Sequence, residues 1–271
     1  MNPAPPPSEM PPGKGSDPAV HSLRGLTAIV TGASRGIGRA IALAYARAGA
    51  DVVINYAPDQ AFPQDLRDLI GAEGGRAVAV QADIGKLGEH GRLVDAALEH
   101  FGRIDILVNN AAIKGKAPFM DVTEATWDEV VHVNVKGPYF LAQRVAREMI
   151  RAGTRGRIIN ITSNHESKPL RGSSVYSITK SGLGMLTKTL ALELAGHGIT
   201  ANSIIPGSYA TMMNRDVLID PARRAAAGNW IPLGRIGEPE DLVAAAIFLA
   251  GPHSGYLTGS SIRVDGGLGL L

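Results

Sequence analysis

The chain has 271 residues, enough for one large α/β domain with a sizeable core. It contains no cysteine, which excludes disulfides, thiolate metal sites and a cysteine nucleophile. A net charge of +2 without a basic cluster argues against a nucleic-acid partner, and the lack of a long apolar run argues against a membrane one.

Residues 1–22 hold 7 of the 17 prolines and no apolar signal-peptide core. They are expected to form a flexible, proline-rich tail, with a docking peptide for a proline-recognising partner as the alternative. The missing cysteines and export signals make the expected location cytoplasmic. Residues 26–32, LTAIVTG, read as a short buried strand ending in a glycine turn. A helix is predicted over 36–50, with Ile37, Ile41 and Leu43 on its apolar side. A strand at 51–56 and a weaker helix at 62–73 follow, with Pro63 near the first turn. Next come a strand at 76–83, a helix at 87–101 and a strand at 104–111. Helices at about 123–150, 174–196 and 238–250 are interleaved with strands at 156–163, 200–207 and 261–267. Apolar strands alternating with helices imply βαβ units and a parallel sheet covered on both faces. The expected fold class is α/β, one doubly wound domain over 23–271, with ligands at the carboxyl ends of the strands.

The turn after the first strand reads TGASRGIG. Gly32, Gly36 and Gly38 let the chain turn sharply and bring N–H groups to a pyrophosphate at the positive end of a helix. Three glycines also suit plain packing, but their place after the first strand of an alternating domain favours a dinucleotide. The second strand ends without the carboxylate that would hold the ribose 2′-hydroxyl of NAD. Asn55, Tyr56 and Ala57 stand there instead, with Asp59 slightly beyond, and Asn55 and Tyr56 are the expected contacts to the cofactor ribose. Arg35 can pair with a 2′-phosphate, or be only a solvated loop cation. NADP(H) is therefore the preferred cofactor, with NAD(H) left open. Asp83, ending the third strand, either accepts from the adenine amino group or serves the turn.

In SVYSITKSG, Tyr176 and Lys180 lie one helical turn apart, so phenol and ammonium share a face. A cation beside a phenol eases its deprotonation. Ser173 and Ser174 read as capping residues of that helix. His197 suits a helix C-terminus, and the scattered histidines suggest no metal site.

TGASRGIG, NNAA at 109–112, VNVKG at 133–137, Ser163, YSITK at 176–180 and IPGSYAT at 205–211 occur in one order. In this set the sequence resembles the short-chain dehydrogenase/reductase family, across nearly everything after residue 22. The resemblance implies a single-domain Rossmann fold and homotetramers (or dimers) paired through the long helices around the active site. It implies hydride transfer between nicotinamide and a small carbonyl or alcohol substrate. The implied catalytic set is Asn134, Ser163, Tyr176 and Lys180. Tyr176 would donate the proton and Ser163 would hold the substrate oxygen. Lys180 would stabilise the phenolate and bind the nicotinamide ribose. Asn134 would shape its helix and hold a water leading from Lys180 to solvent. Cofactor contacts carry over to Ser34, Arg35 and Ile37 with the loop glycines, to Ile84 beside Asp83, to Asn110 and Ala111, and to Pro206, Gly207 and Thr211. Ala112 replaces the family's glycine, a change that is tolerated if φ there is not positive.

His165 is either a substrate contact or a loop histidine without a role. No G-x-S-x-G surrounds Ser163, so a Ser–His hydrolase is a poor reading. The stretch TSNHESKP is similar to the corresponding loop of glucose 1-dehydrogenases, and the chain also resembles 3-oxoacyl-carrier-protein reductases. A carbonyl reductase and a sugar dehydrogenase therefore both stand. A dinucleotide-binding regulator without catalysis is the third reading, and the intact four residues argue against it. The substrate pocket is expected to involve residues 164–172 and 208–230; the second segment, with Tyr209, Met212, Met213, Val217, Leu218 and Trp230, either forms an apolar substrate lid or packs on the body.

Overall fold

In a computed structural model, residues 22–271 are described, so all but the last residue of the proline-rich segment lies outside them. The chain runs β1 (Thr27–Val30), α1 (Gly36–Arg47), β2 (Asp51–Tyr56), α2 (Gln64–Ala72), β3 (Ala77–Gln81), α3 (His90–Phe101) and β4 (Ile106–Asn109). It continues through α4 (Glu124–Val131), α5 (Gly137–Arg151), β5 (Arg157–Ile161), α6 (Ser174–Leu194) and β6 (Thr200–Pro206). α7 (Arg215–Leu218), α8 (Pro221–Asn229), α9 (Val243–Ala250) and β7 (Ser261–Val264) complete it. The seven strands pair in parallel, in the order β3-β2-β1-β4-β5-β6-β7.

Alternation along the strands builds two cores. Ala28, Val30, Val52 and Ile54 face one layer, with Ile41 and Tyr45 of α1, Leu66 of α2 and Leu249 of α9. Ile29 and Val53 face the other, with Leu93 of α3 and Leu141, Val145 and Met149 of α5. The strand order reverses between β1 and β4. That switch point opens a crevice at the carboxyl ends, where the glycine turn, the loop after β4 and the loop after β5 meet.

All seven predicted strands are present, and most are shorter at their carboxyl ends than expected. Residues 31–32, 110–111 and 162–163 leave the ladder to form the loops of the site. The helix predicted over 123–150 is interrupted by a π turn at His132–Lys136. The one predicted over 238–250 starts as a 3-10 turn, Pro239–Leu242. No described helix is long and apolar enough to cross a membrane.

Candidate active site

The glycine turn after β1 is held against the loop after β4. Gly32 and Gly36 have φ of +60° and +57°, a backbone region that side chains disfavour. A Cβ on Gly38 would stand 2.4 Å from the Gly32 carbonyl oxygen and 2.5 Å from Asn110 Nδ2, which only glycine avoids. Thr31 Oγ1 accepts from the N–H groups of Asn110 (2.9 Å) and Ala111 (3.0 Å). Asn110 Nδ2 donates back to the carbonyls of Thr31 (2.9 Å) and Gly32 (3.2 Å). α1 then begins at Gly36 behind Arg35, with no side-chain cap. Its first-turn N–H groups are therefore left for an anion, and the donors fit the pyrophosphate of a dinucleotide.

Around that cradle the expected contacts divide. Arg35 is exposed and makes no ion pair among the described residues. Ser34 donates to Gln60, a residue that sequence reading passed over. Ile37 is half-buried in the first turn of α1. Asn55 corrects expectation: it is 1 % exposed, and both ends of its amide are engaged inside the protein. Its Oδ1 accepts from Gly32 N–H (3.0 Å) and its Nδ2 donates to Ala82 O (2.9 Å), so the side chain positions the glycine turn instead of reaching a ribose. Tyr56 is buried, edge-on to Phe62. Asp83 serves its turn by accepting from Gly85 N–H at 2.9 Å, and its other oxygen lies 3.8 Å from Lys86 Nζ. Ile84 is buried beside it, and its carbonyl accepts from His90 Nε2–H at 2.8 Å. Pro206 ends β6, and Gly207 packs against Asp265. A Cβ on Gly36 would meet Thr211 Cγ2 at 3.2 Å, which places the start of the 208–230 segment over the glycine turn.

The other half of the site is built on β5, α6 and the π turn. A π turn adds one residue to a helical turn and so redirects the side chains it carries. Asn134, fully buried there, accepts from Ile113 N–H (2.9 Å). Its Nδ2 donates to Ile113 O (2.9 Å) and to Thr179 Oγ1 (3.1 Å). The amide thus clamps the loop after β4 onto the helix bearing the tyrosine. Ser163 follows β5 in extended backbone, and its Oγ accepts from His165 N–H at 3.2 Å. Lys180 Nζ donates to Ile161 O at 2.7 Å and lies 5.7 Å from the centre of the Tyr176 ring. The His165 ring stands edge-on to Tyr176, with centroids 6.0 Å apart.

Burial sets the protonation states. It pushes the Tyr176 phenol up to about 12, while the neighbouring Ser163 hydroxyl pulls the other way. It lowers Lys180 to about 8, against the charge of Glu166. The easing of deprotonation expected from a cation beside the phenol is thus outweighed by burial in the chain itself. Both groups are desolvated, and the ammonium sits over the ring and is held by a carbonyl. At neutral pH the chain itself presents a protonated phenol beside a cation, an arrangement suited to giving a proton.

Ser173 stands at the N-cap of α6, but its side chain makes no capping bond there. His197 ends the 3-10 turn that follows α6, as expected. Ala112 does not have positive φ, so its extra methyl is accommodated. Tyr209 belongs to the body: it is buried, and its hydroxyl donates to Val264 O at 2.9 Å. Met212, Met213 and Trp230 are exposed. Lys114 and Arg263 were not anticipated, whereas Asn164 lies in the segment 164–172 expected at the substrate pocket. Lys114 Nζ donates to Asn214 Oδ1 in the 208–230 segment (2.8 Å), and Arg263 of β7 donates to Asn164, the neighbour of Ser163. Their partners lie about a hundred residues away, and no local pattern marks them.

A family model described as enoyl-(acyl carrier protein) reductase matches residues 32–269. The chain is 41 % identical over 248 residues to 3beta-hydroxysteroid dehydrogenase 1 of Eggerthella lenta, covering 92 % of this chain and 95 % of that one. It is 39 % identical over 249 residues to glucose 1-dehydrogenase 2 of Bacillus subtilis, covering 92 % and 96 %. The solved structure of a gluconate 5-dehydrogenase from Burkholderia cenocepacia, in complex with NADP and tartrate, superposes with a TM-score of 0.87. It is 35 % identical to this chain, with 94 % of this chain and 99 % of that one covered. With that match over most of its length and the glycine cradle and tyrosine helix in place, the chain belongs to the short-chain dehydrogenase/reductase family, whose members act as oxidoreductases on alcohol and carbonyl groups.

Proposed function

We propose that this protein transfers a hydride between NADP(H) and a ketone or secondary alcohol, with Tyr176 as proton donor and acceptor. The observation that carries the reading is the meeting of Ser163, Tyr176 and Lys180 at the carboxyl end of β5, across from the glycine cradle. The bound nicotinamide supplies or accepts the hydride, and its oxidised ring adds positive charge near the phenol. Ser163 orients the substrate oxygen and shares its developing charge. Lys180 binds the nicotinamide ribose and keeps a positive charge beside Tyr176. Asn134 positions the helix that bears both; its side chain is fully engaged with protein groups, so a water relay to Lys180 would run past its backbone. The dehydrogenase unit runs from residue 23, with the lid at about 208–230, and a cysteine-free chain suits the reducing cytoplasm, where we place it.

The test is NADPH oxidation by the purified protein against ketones, β-ketoesters, quinones and aldoses. Turnover on one class is expected. Tight NADPH binding without turnover on any class would favour the non-catalytic regulator. A second reading, sugar oxidation, is favoured by His165 standing edge-on to Tyr176, where it can touch a polyol, and by the relatives named for glucose and gluconate.

Preference for NADP(H) rests on exposed Arg35 and on the absence of a carboxylate at the end of β2. Arg35→Ala is expected to lower the NADPH-to-NADH ratio of kcat/KM by about 10-fold or more, the effect of losing a charge-assisted phosphate contact. Equal losses with both cofactors would remove Arg35 from the role.

Tyr139 and Phe140 of α5 and Ile178, Met185 and Leu192 of α6 are exposed. Such a face supports pairing of copies through these helices into a homotetramer or dimer. Light scattering should show an oligomer, and a monomer at working concentration contradicts this.

A further inference from the structure

The three segments at the mouth of the site, 113–117, 163–172 and 211–216, carry five Lys or Arg residues and two acids. The acids do not neutralise them. Glu166 lies against α6, where its Oε2 would be 3.1 Å from a Cβ on Gly184. Asp216 acts on Lys114 only at a distance, and neither acid forms an ion pair among the described residues. Lys168 is taken by the carbonyls of Leu268 and Leu271 in the C-terminal segment. Lys114 is different in kind. It is half-buried, and its ammonium meets an amide oxygen, Asn214 Oδ1, with no carboxylate within ion-pair distance among the described residues. Burial and the neighbouring Lys116 both lower its pKa. A partly desolvated ammonium without an anion is costly, and a ligand's negative charge would relieve that cost.

Its position decides which ligand. Ile113, one residue earlier, is clamped by Asn134 to the tyrosine helix. Asn214, three residues after Thr211, belongs to the lid. Ala117 N–H donates to Gly172 O at 3.0 Å, joining the loops after β4 and β5. The Lys114–Asn214 bond therefore spans the entrance between these loops and the lid.

We propose that Lys114, assisted by Lys116, holds the carboxylate of the substrate, so that the enzyme acts on a hydroxy acid or oxo acid. This rests on the oxidoreductase reading above and names the substrate class of that site. The carboxylate is untouched by the reaction. In the oxidative direction the carbinol C–H bond would break, with the hydride going to NADP⁺ and the hydroxyl proton to the Tyr176 phenolate; in the reductive direction the Tyr176 phenol would give that proton back as NADPH returns the hydride.

The full chain is assayed with matched pairs, an aldonate against its alditol and a hydroxy acid against its methyl ester. The acids should be favoured. Lys114→Met should lower the acid-to-neutral ratio of kcat/KM by about 10- to 100-fold, as expected for a lost hydrogen bond to a charged group, and Lys114→Arg should keep most of it. The Kd for NADPH should not change. Calorimetry of the acids binding to the NADPH complex gives a second readout. Acid binding that is lost in Lys114→Met, with no turnover of any compound, would sustain the site and defeat the oxidoreductase reading. Absent acid binding, a preference for the neutral members, or an unchanged ratio in Lys114→Met would overturn the proposal. A weakened NADPH complex in that variant would overturn it too, because the lysine would then serve the cofactor's own diphosphate.

Discussion

Tyr176→Phe is expected to lose turnover by about 10³-fold, roughly 4 kcal/mol of transition-state stabilisation, in either direction. In the proposed function the phenol is the acid beside the reacting oxygen, and Ser163 would orient a substrate without replacing that proton. Folding should be retained. Tyr176 is 7 % exposed, its ring packs against His165 and Lys180, and phenylalanine keeps that ring. The Kd for NADPH should stay within about twofold, because the main nucleotide donors sit on the glycine turn. Turnover near wild type would remove Tyr176 from proton transfer.

Lys180→Met is expected to weaken NADPH binding and slow the reaction together, by about 10- to 100-fold in each, the effect of losing hydrogen bonds from a charged group. A methionine of similar length fills the buried volume. It cannot donate to Ile161 O or to a ribose, and it carries no charge beside the phenol. The same variant should change how stability depends on pH. Lys180 ordinarily titrates near 10.5 and is lowered to about 8 in the folded chain. Between those values the unfolded chain holds the proton that the folded chain releases. This lysine's contribution is therefore present above 10.5 and lost as pH falls through 8. Tyr176 works oppositely: its contribution is full below 10 and is lost as pH rises through about 12. Denaturant titration of wild type and Lys180→Met across pH 8–10 should show a smaller rise in the variant. Parallel curves would mean that the ammonium is not desolvated.

The sheet was legible because each strand is an apolar run between turn signals, and the glycine turn because its spacing reflects close approach of backbone to Gly32 O and Asn110. The pairing of Tyr176 with Lys180 followed from helical period alone. What periodicity cannot encode is burial by distant segments. Asn55 stands where a ribose contact was expected, yet the glycine turn and the end of β3 engage its amide. Lys180 shares a face with Tyr176, but desolvation dominates their titration. The π turn that aims Asn134 at Ile113 and Thr179 leaves no trace in a helical pattern that simply continues through it. Lys114 meets a partner, Asn214, that only the folded chain brings near.

The most direct test is titration of Tyr176 itself, followed as the near-ultraviolet absorbance of phenolate in wild type minus Tyr176→Phe. Without nucleotide, the difference signal should emerge only toward pH 12. With saturating NADP⁺ it should emerge at clearly lower pH, because the proposed function puts the cationic ring beside the phenol, and Lys180→Met should blunt that movement. A signal that stays where it was when NADP⁺ is added would contradict the account, since the phenol would then stand apart from the redox ring.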